Sequence, residues 1–398
     1  MDFEHSAKAK EYQEKMWEFM DSHVFPAEKT WNEWRAAAGH DNHDLPPVMN
    51  ELKEEAKKRG LWNLFLKDVS GMSNVEYASI AEITGWVPEI APESINCAAP
   101  DTGNMETLHL FGTDEQKQEW LEPLLAGEIR SAFAMTEPRV ASSDAANIET
   151  RIESDGDDYV INGRKWWISG TADERCKIFI LMGKTDPTAS AHKQQSMVLV
   201  PRDTPGVEVI RHLPVFGYQD QHGHSEIQFT DVRVPKKNLL MSEGDGFMIA
   251  QGRLGPGRIH HCMRTIGKAE VALDLMVKRG KSRTAFGQPL AKLGGNLEKI
   301  SRARIEIEAM RLMVLKAAKA MDVLGNKEAR VWVSMVKAMV PEKACQIIDQ
   351  AMQIHGATGV SQWSPLSGLY TDVRHLRYAD GPDEVHHMVV GRHELSQH

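Results

Sequence analysis

The hydrophobic pattern of the chain changes twice, and this change restricts the fold more than any other feature of the sequence. From the start to about residue 130, apolar residues recur at helical spacing, as in 8–20, 47–59 and 114–125. The pattern then becomes short apolar runs between turns, and after residue 242 it is helical again. We therefore predict an α+β fold with an N-terminal helical domain (1–130), a middle antiparallel, barrel-like β domain (131–242) and a C-terminal four-helix bundle (243–398).

Turn signals divide the middle segment into strands. Asp155-Gly156 and Asn162-Gly163 are dipeptides typical of β-hairpins, and they lie seven residues apart. They predict two hairpins, with short strands at 159–161 and 166–169. Further strands are predicted at 177–182, 196–200, 207–210 and 226–229.

Two long helices and a shorter one are predicted in the C-terminal segment. The first ends at Gly325-Asn326 and presents an apolar face over 305–323, formed by Ile305, Ala309, Leu312, Met313, Ala320 and Val323. The second covers 332–351, where Pro341 predicts a kink or a break. Apolar residues at 385–389 predict the last helix.

Composition excludes several classes of protein. The formal net charge of −9 argues against a general nucleic-acid or membrane surface. No apolar run reaches the ~18 residues of a membrane-spanning helix, and the charged N-terminal sequence does not resemble a secretory signal. The four cysteines are far apart and include no CxxC pair, so neither a disulfide framework nor a metal site is predicted. These features favour a reducing compartment, and we predict a cytoplasmic location.

Two motifs in the β segment are candidates for a ligand site. Residues 133–138, followed by Ser142 and Ser143, are rich in small and hydroxyl side chains whose backbone amides can meet a polar ring or a phosphate. Residues 165–170 place Trp167 and Ser169 at a strand end, where a ring can stack on a heterocycle and a hydroxyl can bond its edge. A strand ending in a Pro turn explains the first motif equally well. A core tryptophan pair explains the second better when it is taken alone.

Three more motifs lie in the C-terminal helical segment. Residues 278–287 carry four cations within six positions at a helix end, an excess that suggests a phosphate partner. Residues 353–359 place two glycines after Gln353, where backbone can approach a ligand. Residues 378–384 form an acidic turn that can aim Asp380 into a cleft as a base. Taken singly, these motifs are better explained as a solvated helix end, a C-cap, and an N-cap by Asp380 or Asp383.

Together and in this order, the five motifs resemble the acyl-CoA dehydrogenase family. Segments 112–128 and 231–247 are also similar to the family's segment before its flavin loop and to the junction between its β domain and C-terminal helices. The 27 residues from Gln353 to Asp380 equal the separation expected between the family's Gln-x-x-Gly-Gly motif and its catalytic carboxylate. The likeness covers about residue 75 to the end, and it is greatest to the branch with Asp in the base position.

The resemblance implies FAD as cofactor and a specific set of site residues. It implies Asp380 as the base, with Trp167 against the flavin and Ser169 at the flavin N5 edge. The other implied FAD-binding residues are Phe133, Met135, Thr136, Ser142, Ile168, Arg283, Phe286, Gln353, Gly356, Ala357, Pro382, Asp383 and Glu384. The implied acyl-CoA contacts are Ser143, Arg258, Gly381 and Arg392. Because the family's Gln-Gly-Gly motif reaches the FAD of a neighbouring subunit, a homodimer or homotetramer is implied as well.

Three positions depart from the family pattern. Residues 139–143 (Arg-Val-Ala-Ser-Ser) stand where most members have the shorter Gly-Ala-Gly-Ser, so this loop is expected to run differently. Pro382 replaces a usual Thr and removes a hydroxyl from the cofactor site. Gly255 replaces an acid common in acyl-CoA binders, which puts the CoA contacts in question.

The implied reaction is dehydrogenation of an acyl-CoA thioester to the trans-2-enoyl-CoA, with electrons passing to an electron-transfer flavoprotein. Some relatives place the base on the helix after Gly246, but residues 246–269 contain no Asp or Glu, which favours Asp380. Two alternatives stay open. One is an oxygen-reducing relative, either an acyl-CoA oxidase or a nitroalkane oxidase, and the latter also uses Asp as base. The other is a non-catalytic helical scaffold. The acyl chain length does not follow from the sequence.

Overall fold

The computed structural model describes residues 4–39 and 41–398, apart from the side chain at position 254. Its α-helices are Ala7–Phe19 (α1), Phe25–Ala38 (α2), Val48–Lys58 (α3), Lys67–Ser70 (α4), Asn74–Thr84 (α5), Ala91–Ser94 (α6), Asp101–Phe111 (α7), Asp114–Gln116 (α8), Glu122–Ala126 (α9), Gly246–Ser282 (α10), Asn296–His355 (α11), Leu366–His375 (α12) and Asp383–Leu395 (α13). Its strands are Arg130–Ala134 (β1), Arg151–Asp155 (β2), Asp158–Ser169 (β3), Cys176–Lys184 (β4), Gln195–Pro201 (β5), Val207–His212 (β6), His224–Pro235 (β7), Thr284–Ala285 (β8) and Gln288–Pro289 (β9). None of the helices in these ranges is long and apolar enough to cross a membrane.

The chain forms two compact units. The helical unit contains residues up to 28, 55–92 and 255–398. The sheet unit contains residues from 29–54 and 93–254. The order of helices, then strands, then helices along the chain confirms the α+β fold class. The three domain boundaries inferred from the sequence stay a prediction.

A seven-stranded sheet forms the centre of the sheet unit. Six strands follow the order β1-β4-β2-β3-β7-β6, and β5 pairs with β4 outside this path. Most neighbours are antiparallel, whereas β1 and β2 each pair with β4 in parallel. Apolar side chains of the sheet form a hydrophobic core. In it the rings of Phe179 and Phe229 pack edge to face, with their centres 6.1 Å apart. The strands predicted between 177 and 229 are confirmed.

The Asn162-Gly163 hairpin prediction is wrong, while the turn at Asp155-Gly156 is confirmed. Strand β3 runs straight through Gly163, and the register with β7 shifts there, as in a β-bulge. A Cβ at Gly163 would lie 2.3 Å from Thr150 Oγ1, so glycine is present for close packing rather than for a turn. Asn162 Nδ2 donates to Asp231 Oδ1 at 3.0 Å and satisfies its amide without a reversal of the chain.

Helix α11 packs against α5, α12 and α13 in the helical unit. Gly325 interrupts it with φ 80°, as predicted, but the helix continues through Pro341 without a break. The buried face before Gly325 differs from the predicted one, because Ile305 and Leu312 are exposed. The residues that are buried instead are Ala303, Ile307, Met310, Val314, Ala317 and Met321.

Candidate active site

Asp380 lies in a tight turn between α12 and α13, in the helical unit. Its backbone is left-handed (φ 56°), and the next residue, Gly381, has φ 101°. Asp tolerates this conformation better than most residues, and Gly adopts it without a steric cost. The Asp380 side chain is 18% exposed, and its Oδ2 lies 3.4 Å from Nε2 of His261 on α10. A carboxylate therefore stands at the edge of the helical unit in a fixed orientation rather than extended into solvent.

Buried side chains from three helices hold the backbone of this turn. Arg258 Nε, from α10, donates to the Asp380 carbonyl oxygen at 2.9 Å. His386 Nε2, from α13, lies 3.3 Å from the same oxygen. Lys337 Nζ, from α11, donates to the Leu376 carbonyl at 2.5 Å and reaches the carbonyl of Gly381 at 3.5 Å. The conformation of the turn thus depends on the packing of α10, α11 and α13 together.

The two imidazoles of this cluster are neutral at pH 7. Burial, with Arg264 and Lys337 nearby, lowers the pKa of His261 to about 3 despite the opposing charge of Asp380. Burial and the cations Arg258 and Lys337 lower the pKa of His386 to about 3. Burial also lowers the pKa of Lys337. Both imidazoles therefore act as hydrogen-bonding groups rather than as charges.

The residues after Asp380 take other roles than capping. Pro382 is the N-cap of α13, and no side chain caps the helix there, so the alternative that Asp380 or Asp383 serves as a cap is wrong. Asp383 is buried and accepts from Arg377 Nε at 2.6 Å, which ties the start of α13 back to the end of α12. Glu384 is exposed, and Pro382 and Gly381 are half-buried.

The remaining predicted residues of the helical unit are exposed at three helix ends. Phe286 and Gly287 form the two-residue turn of the β8–β9 hairpin, both with positive φ, just after the end of α10. The Phe286 side chain is 96% exposed, and Arg283 beside it is exposed as well. The other exposed members of this set are Gln353, Gly356 and Ala357 at the end of α11 and Arg392 near the end of α13.

A β-bulge sets the orientation of Trp167 in the sheet unit. Lys165 pairs with Ile227, and Ile168 pairs with Ser225. Two residues of β3 therefore lie opposite a single residue of β7. Trp167 has φ 55° and is 41% exposed, whereas its neighbour Trp166 is half-buried. The bulge turns Trp167 outward, and Ile168, which was predicted to bind cofactor, points its side chain into the core.

Ser169 stands two positions beyond Trp167, where β3 ends opposite the start of β7. Its Oγ lies 2.8 Å from Nδ1 of His224, and His224 Nε2 lies 3.4 Å from Asp220 Oδ2. The His224 ring centre is 6.2 Å from that of Trp167. An aromatic ring and a hydroxyl are therefore presented side by side. No sequence motif indicated the histidine that bonds to this hydroxyl.

Glu137 holds the 135–142 loop against strand β3. Its carboxylate accepts from the backbone amides of Glu149 at 2.7 Å and Thr150 at 3.0 Å, and from Lys165 Nζ at 2.8 Å. Lys165 also donates to the Met135 carbonyl at 2.8 Å. Burial lowers the pKa of Lys165 to about 8. Burial acts to raise the pKa of Glu137, but the Lys165 charge and the hydrogen bonds bring it below its usual value. The loop is therefore anchored by a buried ion pair.

The predicted residues of this loop differ in exposure. Ser142 is buried, and its Oγ accepts from the Glu137 amide at 2.8 Å, so its hydroxyl shapes the loop. Thr136 and Ser143 are exposed, and Met135 is half-buried. Phe133 is half-buried with the Arg253 guanidinium 4.1 Å over its ring. Four of the five side chains are thus only partly buried or open.

Family models match nearly all of the chain. They are the acyl-CoA dehydrogenase N-terminal domain at residues 6–128, the middle domain at 132–232 and the C-terminal domain at 244–395. The chain belongs to the acyl-CoA dehydrogenase family. Members of this family are FAD-dependent oxidoreductases that dehydrogenate acyl-CoA thioesters, and the chain is an enzyme of this class.

Individual relatives within the acyl-CoA dehydrogenase family are similar over the whole chain. The Mycobacterium tuberculosis protein named probable acyl-CoA dehydrogenase FadE2 is 60% identical over 397 residues, which cover 100% of this chain and 98% of the relative. Mouse acyl-CoA dehydrogenase family member 11 is 52% identical over 99% of this chain, which spans only 51% of that protein. A solved structure from Mycobacterium abscessus is 50% identical, with a TM-score of 0.96 and coverage of 99% of this chain and 100% of the other.

One departure from the acyl-CoA dehydrogenase pattern has a steric cause. A Cβ at Gly255 would lie 1.9 Å from Oδ1 of Asn326, at the start of the second half of α11. No side chain fits at position 255 while Asn326 keeps its place. The acid that acyl-CoA binders of the family often carry there is therefore replaced by a close contact between α10 and α11.

Proposed function

We propose that this acyl-CoA dehydrogenase converts an acyl-CoA thioester to the trans-2-enoyl-CoA, with Asp380 as the base that removes the α-proton. The observation that carries the proposal is the Asp380 turn itself. A strained backbone persists only where its surroundings hold it, and such positions cluster at active sites. The turn is held by Arg258, Lys337 and His386, and it leaves the carboxylate partly open.

The lack of an acid in the first 24 residues of α10 supports the same assignment. Residues 246–269 contain no Asp or Glu, so the part of the helix that carries the base in some relatives has no candidate. His261 occupies that helix instead, and its neutral ring lies against the Asp380 carboxylate. We infer that His261 orients Asp380, while the proton taken from substrate is held on the Asp380 carboxylate.

Each unit, taken by itself, carries side chains that suit a part of FAD. The outward face of Trp167 and the adjacent Ser169 hydroxyl suit a flat heterocycle with a polar edge. Exposed Phe286 beside exposed Arg283 suits an adenine ring and a pyrophosphate. When bound, FAD supplies the two-electron acceptor for the β-hydride. We assign the same cofactor to Phe133, Met135, Thr136, Ser142, the Ile168 backbone, Gln353, Gly356, Ala357, Pro382, Asp383 and Glu384, and the substrate to Ser143, Arg258, Gly381 and Arg392.

Exposed apolar side chains on the helical unit support the proposed homodimer or homotetramer. Trp363 is 92% exposed, Leu297 70% and Ile305 63%. Large exposed apolar side chains are candidates for contact with another chain. A cytoplasmic location is also proposed, because all four cysteines are buried and none forms a disulfide. The proposed electron acceptor is an electron-transfer flavoprotein, as the family resemblance implies.

Anaerobic mixing of the FAD-loaded enzyme with a panel of acyl-CoAs tests the proposal. We expect at least one straight or substituted acyl-CoA to bleach the flavin absorbance in a single turnover. Asp380→Asn should keep FAD and fold but slow bleaching by roughly 10²- to 10⁴-fold, the usual contribution of a positioned base. Glu394→Gln, which removes a carboxylate from the exposed end of α13, is the matched control and should bleach at the wild-type rate.

Each result bears on a different part of the proposal. Unchanged bleaching in Asp380→Asn would refute the role of this carboxylate. Stoichiometric peroxide per turnover in air would favour the oxygen-reducing alternative over transfer to an electron-transfer flavoprotein. Bleaching by a nitroalkane without CoA would favour a nitroalkane oxidase. A colourless protein that takes up no FAD would favour the non-catalytic scaffold.

A further inference from the structure

A chain of three polar side chains lies beside Trp167 in the sheet unit. Ser169 and His224 face each other across β3 and β7, with Ser169 Oγ 2.8 Å from His224 Nδ1. Asp220 Oδ2 lies 3.4 Å from His224 Nε2. The other carboxylate oxygen of Asp220 accepts from the Gly223 amide at 2.5 Å, which fixes the carboxylate just before β7. No family motif identified in the sequence includes Asp220 or His224.

The position of Asp220 decides which nitrogen of His224 carries the proton. A carboxylate facing Nε2 favours the tautomer with its proton on Nε2, and it leaves Nδ1 as an acceptor. The Ser169 hydroxyl then donates its proton to Nδ1. With the O–H so engaged, the Ser169 oxygen keeps lone pairs that can accept a hydrogen bond. It lies near the exposed Trp167, because the His224 ring to which it bonds is centred 6.2 Å from the Trp167 ring.

We propose that Asp220 and His224 are positioning residues that hold the Ser169 oxygen as a hydrogen-bond acceptor toward the cofactor. This inference rests on the proposed function, in which Ser169 meets the N5 edge of FAD. Oxidised flavin offers an acceptor at N5, whereas reduced flavin carries an N–H donor there. An acceptor oxygen therefore matches the reduced cofactor and binds it more tightly than the oxidised one, which raises the reduction potential of bound FAD.

Potentiometric titration of the FAD-loaded enzyme, without substrate, measures this preference. We expect His224→Ala to reduce the ratio of reduced-to-oxidised FAD affinity by roughly 3- to 10-fold, the range of one hydrogen bond. This 3- to 10-fold change corresponds to a fall in the two-electron midpoint potential of about 14–30 mV, at 29.6 mV per tenfold change in the ratio. Asp220→Asn should move the potential in the same direction, because an amide at this position no longer favours the Nε2 proton. His224→Asn should restore part of the loss, since its side-chain oxygen can accept from Ser169.

Two comparisons separate positioning from a general structural effect. The next residue of β7, Ser225, bonds to His212 in the same way, at 2.9 Å, but on the opposite face of the strand. His212→Ala removes this matched serine–histidine bond, and it should leave the potential unchanged. In a Ser169→Ala background, His224→Ala should have no further effect, because the group that it positions is gone.

The outcomes distinguish this inference from the proposed function. A wild-type potential in both His224→Ala and Asp220→Asn overturns the inference, as does a His224→Ala shift that persists in full without the Ser169 hydroxyl. If the wild-type enzyme binds FAD and is reduced by an acyl-CoA while these variants match it, only the positioning role fails. If the wild-type enzyme binds no FAD, the proposed function fails as well. Should His224→Ala not fold, Asp220→Asn and His224→Asn decide the question.

Discussion

Acid should destabilise the helical unit through His386 by an amount that follows from its burial. The side chain is 2% exposed, with Nδ1 3.3 Å from Ser334 Oγ and Nε2 3.3 Å from the Asp380 carbonyl. Burial, then the charges of Arg258 and Lys337, lower its pKa from 6.5 to about 3. The unfolded chain therefore takes up a proton near pH 6.5, and the folded chain does so only near pH 3. The contribution of His386 to stability is complete above pH 6.5 and is lost as the pH falls from 6.5 to 3.

The magnitude at an accessible pH is large enough to measure. With these two pKa values, linkage gives a loss of about 2 kcal/mol in the free energy of unfolding between pH 7 and pH 5. Urea unfolding of wild type and His386→Asn at both pH values is followed by circular dichroism. The comparison separates the contribution of His386 to the loss of unfolding free energy from the contributions of other titrating groups. We expect the variant to be less stable at pH 7 but to lose about 2 kcal/mol less on acidification.

His387, the exposed neighbour on α13, provides the control. His387→Asn should lose as much stability on acidification as the wild type does. Equal losses in wild type and His386→Asn would refute the reasoning. They would mean that His386 takes up its proton at the same pH in the folded and in the unfolded chain. A larger loss in the variant would contradict the sign of the argument.

Three further substitutions have expected outcomes. Lys165→Met should destabilise the sheet unit by about 3 kcal/mol in urea unfolding, because it leaves the buried Glu137 carboxylate without its ion-pair partner. Adding Glu137→Gln to this variant should recover part of the lost stability. A loss under about 1 kcal/mol in Lys165→Met would contradict the prediction. Gly163→Ala should cost about 1–3 kcal/mol, since its Cβ would meet Thr150 at 2.3 Å, and a neutral result would show that the bulge can widen. Arg283→Ala should lower the FAD retained after gel filtration, whereas full retention would remove Arg283 from the cofactor site.

Periodic segments were predictable because local spacing alone determines which face of an element is apolar. The helices near 8–20, 47–59 and 114–125 and the strands between 177 and 229 are all present. The Asn162-Gly163 hairpin failed because a dipeptide that favours a turn also suits a bulge. Local sequence cannot distinguish the two, since the choice depends on Thr150, which approaches from elsewhere in the sheet unit.

Candidate site residues could be selected from the sequence only where the order and spacing of several motifs pointed to them. Asp380 and Trp167 were selected through the family resemblance and stay predictions. The side chains that surround the Asp380 turn, Lys337, His261 and His386, were not selected. A lysine or histidine inside an amphipathic helix gives no sign that its head group will be buried against a turn many residues away. Lys165 was missed as a structural residue because its partner, Glu137, lies on a loop 28 residues earlier in the chain.

Backbone conformation offers evidence about the site that is independent of the motifs. Eight non-glycine residues in the described ranges have positive φ, and three of them were selected from sequence alone: Trp167, Phe286 and Asp380. Each such residue costs roughly 1–2 kcal/mol relative to an ordinary conformation, and each is held by a different device: a bulge, a two-residue hairpin, and buried helix side chains. The family resemblance does not predict the sign of φ at any position, and bulky aromatic residues seldom adopt a positive φ. That the strain falls on a proposed ring partner, a proposed adenine contact and a proposed base argues that these side chains are aimed rather than merely tolerated.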